Sequence, residues 1–417
     1  MGVANGISFL LGETLIDPTL VIAAFVSRIT QSALWVGFAA TTLDFAWFLP
    51  QLWVSGYLQS QPRKMPLYQH TAILRAFAWV ILTASIFLIH EPGWLLFTFM
   101  LTFSVAAISA GLSGLSFLEI VSKTIPPHER GMFFAMRLTI AGVMGVGASA
   151  VVQWVLGDQS PLTYPNNFGA LFVVATILFF FGWWAFLQVN EPPDPSVLPR
   201  ASFGEQLRRA GHFLRLDANF RRFLWLRSSL MIAGAAVPFY AIYVQQQFGG
   251  SLGMIGIYLG VFKIANLSAN LYLGRVSARW GHHRLMQIAT GTGLLMTVMV
   301  MGLVAVAATR PTPAWVALWW LVPVFIVNGI RESGLGVSGQ SLLLEIAPQS
   351  ERSLYLGFTN TFLGVILFFA SLSGVVVETV GFPALLVVTL IAHLSAADAA
   401  RRLRGKIHVE PALAERA

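Results

Sequence analysis

The feature that most constrains this sequence is a series of apolar stretches, each long enough to cross a lipid bilayer and free of Asp, Glu, Lys and Arg. Clear examples are Pro92 to Leu118, Leu138 to Gly157 and Leu285 to Thr309. About 20 helical residues cross the hydrocarbon core. Lipid offers no partner to an unsatisfied backbone group, so each stretch is predicted to be a transmembrane helix. An ordinary water-soluble globule is excluded.

Composition points the same way. Only 11% of the 417 residues are charged and the mean hydropathy is +0.71, whereas soluble proteins carry about 25% charged residues. The net charge of +8 comes from basic residues in short loops between apolar stretches, which argues against nucleic-acid binding. The absence of cysteine excludes disulfides, a thiolate nucleophile and a cysteine metal site.

The stretches and the residues that punctuate them predict an all-α membrane protein with twelve transmembrane helices. The run from Ser228 to Phe262 is too long for one helix, and Gly249 and Gly250 divide it. The predicted spans are 5–27, 32–58, 67–90, 93–122, 131–157, 167–189, 222–248, 252–277, 284–308, 314–345, 353–378 and 381–400.

The distribution of basic residues predicts the orientation. Nineteen of the 26 lysines and arginines fall on one side of this arrangement, and only Arg28 and Arg310 fall on the other. Because cytoplasmic loops retain basic residues, both termini are predicted to be cytoplasmic. We expect a multi-pass protein of the cytoplasmic (plasma) membrane.

The chain contains an internal repeat. The segment from Ser113 to Ile120, at the end of the fourth span, resembles Ser338 to Ile346 at the end of the tenth. Each copy is followed by a proline turn with a Glu-Arg pair, at Glu129-Arg130 and Glu351-Arg352. The repeat predicts two six-helix bundles related by pseudo-symmetry.

The predicted domains follow from this repeat. They are an N-terminal bundle (1–190), a linker (191–221), a C-terminal bundle (222–400) and a cytoplasmic tail (401–417). Within the linker, Ser202 and Glu205 have the spacing of a capping box and open an amphipathic helix. We interpret this helix as lying on the inner leaflet; an ordinary solvated linker helix is the alternative.

The loop after the eighth span carries a glycine followed by a basic, glycine-containing turn, from Gly274 through Arg279 and Gly281 to Arg284. In this pattern, and in its twelve spans, the sequence from 5 to 400 resembles the major facilitator superfamily of secondary transporters. The resemblance implies a central site lined by spans one, four, seven and ten.

Two departures from the family pattern affect its inner gate. Ala278 and Ser60 stand where the family carries an aspartate, so the charge lock is expected to be weakened or rebuilt from other residues. Glu119 with Arg130 or Arg137, and Glu345 with Arg352, are the candidates. The fourth span also lacks the arginine, and the fifth the proline, of drug–proton antiporters, which disfavours a standard multidrug antiporter.

Ionisable residues inside spans are functional candidates, because a charge in a membrane needs a cavity or a partner. Glu13 and Asp17 are predicted to share one face of the first helix, near the break at Pro18, with Asp44 on the second. Closely spaced carboxylates favour binding of a proton or a cation. The alternative is that Glu13 faces the cytoplasmic vestibule and Asp17 caps a helix break.

A second set of charged and polar residues lies in the C-terminal bundle, at Lys263, Asn328, Arg331 and Glu332. Adjacent helical residues point about 100° apart, so we expect Glu332 to pair with Lys263 and Arg331 to face the substrate cavity. A purely structural network is the alternative. The remaining arginines within spans are predicted to be anchors near the helix ends: Arg75, Arg137 and Arg227.

The sequence therefore predicts a monomeric secondary transporter of a small polar organic solute, working by alternating access as a symporter or antiporter with H⁺ or a cation such as Na⁺. No motif supports an enzyme, a cofactor or a metal site. Two alternatives remain open: a lipid or lysolipid transporter, and a transport-inactive sensor or assembly factor.

Overall fold

The computed structural model describes residues 1–195, 197, 199, 202–348 and 351–403. Most of the predicted tail and four linker residues lie outside this part. The described residues form sixteen α-helices, one π-helical turn and no strand. The α-helices are α1 (Gly2–Leu15), α2 (Ala23–Ile29), α3 (Ala33–Phe48), α4 (Gln51–Leu58), α5 (Met65–Leu88), α6 (Pro92–Thr124), α7 (Pro127–Leu156), α8 (Asn166–Leu187), α9 (Phe203–Leu216), α10 (Ala218–Gly234), α11 (Val237–Phe248), α12 (Met254–Thr309), α13 (Ala314–Ile346), α14 (Arg352–Ala370), α15 (Ser373–Thr379) and α16 (Phe382–Arg402).

Eleven continuous or broken helices in the described residues are long and apolar enough to cross a membrane. One of them, α12, has 56 residues and is interrupted at Gly281, where φ is 81° and ψ is 161°. Glycine adopts such a φ without steric penalty. The Tyr258 hydroxyl donates to Leu318 O (2.9 Å) and Trp320 Nε1 donates to Met299 O (3.0 Å). Both ends of α12 thus lie beside the start of α13. The two arms of α12 are therefore antiparallel, and each crosses the membrane once. The prediction of twelve spans is confirmed.

Several spans are broken helices. The first consists of α1, a π-helical turn (Pro18–Ile22) and α2; the seventh consists of α10 and α11. Proline supplies no N–H to the helix, so the chain bends where Pro18 and Pro238 follow the breaks. Pro50 likewise divides α3 from α4 in the second span. The eleventh span divides into α14 and α15 with no proline at the break.

The internal repeat has a structural counterpart. Helices α6 and α13 each have 33 residues. Glu119 near the end of α6 pairs with Lys64 at the start of α5 (3.5 Å), and Glu345 near the end of α13 pairs with His282 at the start of the second arm of α12 (2.7 Å). The repeated glutamates therefore occupy equivalent positions in the two sets of six spans, which we call the N-terminal set and the C-terminal set.

Helix α3 of the N-terminal set packs along α14 and α15 of the C-terminal set, and α7 packs along the first arm of α12. Glycines permit a close approach of the backbones: a Cβ added at Gly256 would lie 2.3 Å from the backbone nitrogen of Gln153. We call the end of the bundle nearest residues 191–221 the linker end and the opposite end the far end. At the linker end, Asn360 Nδ2 donates to Gln51 Oε1 (2.7 Å).

The start of the linker is fixed to the N-terminal set. The Glu191 carboxylate accepts hydrogen bonds from the backbone N–H groups of Lys64 (2.8 Å) and Met65 (2.7 Å) and pairs with Lys123 (2.7 Å). Asp194 pairs with both lysines at 2.9 Å. This group, which we call the linker-end ion cluster, also includes Glu119.

The linker helix α9 begins as predicted, since Ser202 Oγ accepts a hydrogen bond from the N–H of Glu205 (3.2 Å). It contacts both sets. Ser55 Oγ in α4 donates to Gln206 Oε1 (3.2 Å), and Arg209 pairs with Glu351 (2.8 Å) next to α14.

Candidate functional site

Three acidic side chains of the N-terminal set line a space in the middle of the bundle. Glu13 on α1 and Asp44 on α3 are enclosed by protein yet exposed, and Asp17, which follows α1, is half-buried. Enclosed groups that keep accessible surface face an internal cavity. The carboxylates predicted from the sequence therefore face one open space.

Asp17 has a defined structural role as well. Its Oδ1 accepts hydrogen bonds from the N–H groups of Thr19 (3.1 Å) and Leu20 (3.0 Å), and so caps the π-helical turn. Capping of a helix break is the alternative role that the sequence predicts for Asp17. Its Oδ2 accepts no hydrogen bond from the described residues, so a capping role leaves one oxygen for an ion.

Lys263, which belongs to the C-terminal set, lies near these carboxylates. It is the strongest opposite charge acting on both Glu13 and Asp17, although no described ion pair brings its ammonium within 4 Å of either. A Cβ added at Gly145 on α7 would lie 3.4 Å from Thr14 Oγ1 and 3.9 Å from Lys263 Cδ. The absent side chain at Gly145 leaves room for the lysine where α1, α7 and α12 meet.

The predicted pair of Lys263 with Glu332 is wrong. Glu332 instead pairs with its neighbour Arg331, at 2.5 Å between Nη2 and Oε1. Arg331 Nε also donates to Asn328 Oδ1 (3.1 Å), one turn earlier on α13. Adjacent Cβ atoms do diverge, but the arginine is long and held along the helix by Asn328, so its guanidinium returns to the Glu332 carboxylate.

The arginines predicted to be anchors at helix ends are turned into the bundle. The Arg75 guanidinium lies over the rings of Phe9, Tyr68 and Trp183, with 5.2 to 5.8 Å to the centroids. Arg137 lies over Phe117 at 4.5 Å. These aromatic faces attract the cations electrostatically, which explains why neither extends toward the membrane surface. Arg227 lies about 3.0 Å from the position of a Cβ at Gly339.

The predicted gate pairs are also different. Glu119 pairs with Lys64, not with Arg130 or Arg137. Arg130 donates to the carbonyls of Ser122 (2.5 Å) and Ile125 (2.9 Å), which lie at the end of α6 and have no intrahelical donor.

In the C-terminal set, Glu345 pairs with His282, and no described ion pair joins it to Arg352. The partner is a histidine because the break at Gly281 directs the chain back so that His282 lies beside the end of α13. Lys64 and His282 both lie far along the chain from the glutamates they pair with, so local spacing around Glu119 and Glu345 did not point to either.

The remaining residues of the glycine-basic loop make few contacts. Gly281 provides the break in α12, whereas a Cβ added at Gly274 would meet no atom within 4 Å. Arg284 donates to Gln287 (3.3 Å), and Arg279 is exposed without a described ion pair. None of these contacts reaches the N-terminal set.

The cavity is closed at the far end and open toward the linker end. At the far end, Glu378 on α15 accepts hydrogen bonds from Ser32 and Leu34 of the N-terminal set. By contrast, no hydrogen bond or ion pair joins α6 to α13 in the described residues. A Cβ added at Gly336, one turn from Glu332 toward the linker end, would meet no atom within 4 Å.

A bundle of twelve membrane spans in two related sets, with a charged cavity between them that is closed at one end, defines a membrane transport protein. Residues 7–371 match the model of the Major Facilitator Superfamily, and the chain belongs to this family. Its members are transporters rather than enzymes. No protein of curated function matches the chain in sequence.

Solved structures share the fold across the whole length. The inward-open xylose transporter XylE from E. coli is 14% identical, with a TM-score of 0.68 and coverage of 98% of this chain and 96% of that one. The nucleoside transporter NupG (15%, TM-score 0.68) and a bacterial homologue of the iron transporter ferroportin in its inward-facing state (15%, TM-score 0.66) each cover 96% of this chain and 97% of their own. At these identities the likeness shows the fold alone.

Proposed function

We propose that this transporter carries a small polar organic solute by alternating access and couples its movement to H⁺ or a cation such as Na⁺. The supporting observation is the placement of Glu13, Asp17 and Asp44 around one cavity, with Lys263 of the other set as the principal opposite charge for two of them. A change in the charge of these carboxylates would therefore change the electrostatic attraction between the two sets.

Coupling follows from Coulomb attraction. Two unit charges 6 Å apart interact by about 3 kcal/mol at an effective dielectric constant of 20. A proton or cation bound at Glu13 or Asp17 cancels part of the attraction to Lys263, which frees the C-terminal set to move relative to the N-terminal set. Ion binding would thereby be linked to the change in access.

The other side of the cavity supports recognition of a polar solute. Arg331 is almost completely buried, whereas the Glu332 side chain is 43% exposed. Together with Asn328 they present a donor and an acceptor in fixed geometry. A zwitterionic or anionic organic solute fits this mixture better than an apolar one, because its charged groups would replace water around the pair.

The proposal includes a location. We place the protein in the plasma membrane with both termini and the linker end in the cytoplasm, because the basic residues of the described loops collect at that end. We also propose that it acts as a monomer, since both sides of the cavity come from the same chain.

The test is transport by purified protein in liposomes. A thermal-shift screen of metabolites identifies a ligand, since a ligand that binds the folded state raises the melting temperature. Asp17→Asn, Glu13→Gln and Asp44→Asn are then compared with the parent. We expect at least Asp17→Asn to abolish gradient-driven transport while exchange of labelled for unlabelled solute persists, because exchange requires no net movement of the coupling ion.

The matched control is Asp158→Asn, which removes an exposed acid in the loop between α7 and α8 and should leave both activities unchanged. Normal transport against a gradient by all three cavity variants would place the ion site elsewhere.

A further inference from the structure

Among the described residues, the hydrogen bonds between the two sets of spans at the far end are made by one carboxylate, that of Glu378. Glu378 lies on α15 of the C-terminal set, and its Oε1 accepts a hydrogen bond from Ser32 Oγ (2.6 Å) and another from the N–H of Leu34 (3.0 Å) in the N-terminal set. No sequence pattern pointed to a role for this acid.

The start of α3 needs such a partner. The first N–H groups of a helix have no intrahelical acceptor, and Ser32, which occupies the N-cap position, makes no capping bond of its own. The Glu378 carboxylate fills this position from another helix, where a negative charge is also favoured by the helix dipole.

Small residues bring the two elements together. Gly374 precedes Glu378 by one turn of α15, and a Cβ added there would lie 2.1 Å from Ala33 O. A Cβ added at Gly37 would lie 2.8 Å from Ser371 O. The contact at Glu378 therefore depends on direct backbone packing between α3 and α15.

A small cavity lies beside this contact. Its volume is about 190 Å³, and its walls come from both sets, with Ser27 and Val36 on one side and Tyr243, Phe382 and Glu378 on the other. Separation of the two sets at the far end would widen this cavity and expose its buried wall at Val36 to solvent.

We propose that Glu378 is the far-end latch of the transport cycle: its bonds to Ser32 and Leu34 hold the far end closed while the central cavity is open at the linker end. This inference rests on the alternating access proposed above, but not on any particular ion or solute. The described bonds between the spans of the two sets at the linker end are neutral, as between Gln51 and Asn360. The bonds to Glu378 are present in this state, in which the linker end is open, and they must break when the far end opens.

The test measures reaction of single cysteines with a maleimide in purified protein, since the chain has no cysteine of its own. Val36→Cys, which is 3% exposed beside the far-end cavity, reports opening of the far end. Gly336→Cys, which faces the open side of the central cavity, reports closing of the linker end.

We expect Glu378→Gln to raise the labelling rate at Val36→Cys by about three- to tenfold, which corresponds to loss of one helix cap, and to lower the rate at Gly336→Cys. Ser32→Ala removes one donor and leaves the Leu34 N–H, so it should act in the same direction with a smaller effect. It also keeps the test decisive if Glu378→Gln folds poorly. Asp158→Asn, another far-end acid, is the matched control and should leave both rates unchanged.

Two outcomes overturn the latch, and they differ in what they say about transport. Parental rates at both reporters in Glu378→Gln and in Ser32→Ala would reject the latch alone. A faster rate at Val36→Cys without a slower rate at Gly336→Cys would show local loosening, and would count against reciprocal opening of the two ends.

Discussion

The contact between Arg331 and Glu332 changes which residues of the cavity are expected to act together. Because Glu332 is paired with Arg331 and not with Lys263, removing either partner leaves the other charge without compensation. Lys263 is instead the principal opposite charge near Glu13 and Asp17, on the opposite side of the cavity.

We therefore expect Arg331→Met and Glu332→Leu each to lower the melting temperature, and the double variant to recover part of the loss. Since Glu332 is partly exposed, the coupling should be about 1 kcal/mol, as for pairs in contact with water. The matched comparison is Lys263→Met with Glu332→Leu, in which the losses should add. Thermal unfolding in detergent measures both cycles, and recovery in the Lys263 cycle instead would restore the pair predicted from the sequence.

The linker-end ion cluster leads to a prediction about pH. Burial disfavours the charged form of Asp194, but hydrogen bonds and charge from Lys123 and Lys64 outweigh it and hold the pKa of this carboxyl below its usual value near 3.8. A carboxyl with a depressed pKa stabilises the folded state above its unfolded pKa of about 4, and this stabilisation is lost as the pH falls through the folded value.

Asp194→Asn should therefore lower the melting temperature at pH 7, and the difference from the parent should shrink when both are measured near pH 3. A difference that is constant over this range would mean that Asp194 contributes by packing and not by its charge. Asp158→Asn again serves as the control, because Asp158 makes no described ion pair.

At the scale of elements, the sequence predicts helices well and their partners poorly. Apolar length determines the existence of each span, and Pro18 marks the break in the first one. Side-chain partners such as Lys64 for Glu119, or Glu378 for the start of α3, depend on which helices become neighbours. That information is distributed over the whole fold and is absent from local spacing.

The contact between α3 and α15 provides a test at the same scale. Gly374→Ala places a methyl group 2.1 Å from Ala33 O, so α15 must move away from α3, at a cost of about 1–3 kcal/mol for overpacking. We expect a lower melting temperature and faster labelling of Val36→Cys. Gly147→Ala is the matched control, because its added Cβ would meet no atom within 4 Å. Equal behaviour of the two variants would mean that α3 and α15 do not need this close approach.

At the scale of the whole molecule, the twelve-span architecture and the internal repeat were predictable, because membrane crossing and basic-residue bias act on long segments. The direction in which the cavity opens was not predictable, since it depends on how two sets of similar helices rest against each other. No residue pattern within either set encodes that arrangement.

Orientation in the membrane is open to direct measurement. Single cysteines at Ser160, Ser251 and Ser122 should react with an impermeant thiol reagent from outside, outside and inside respectively, because the first two lie in far-end loops and the third lies at the linker end. Labelling is followed in intact cells and in opened vesicles. Outside labelling at Ser122 would reverse the orientation inferred from the basic residues.

The anchoring of the linker at both of its ends implies that the covalent connection between the two sets is dispensable. Glu191 and Asp194 are bonded to the N-terminal set, and the Arg209–Glu351 pair connects α9 to the C-terminal set. The sets also meet directly along α3 with α14 and along α7 with α12. Two separately produced polypeptides, divided between Asp194 and Ser202, should therefore assemble in the membrane, co-purify through a tag on either fragment and transport solute as the intact chain does.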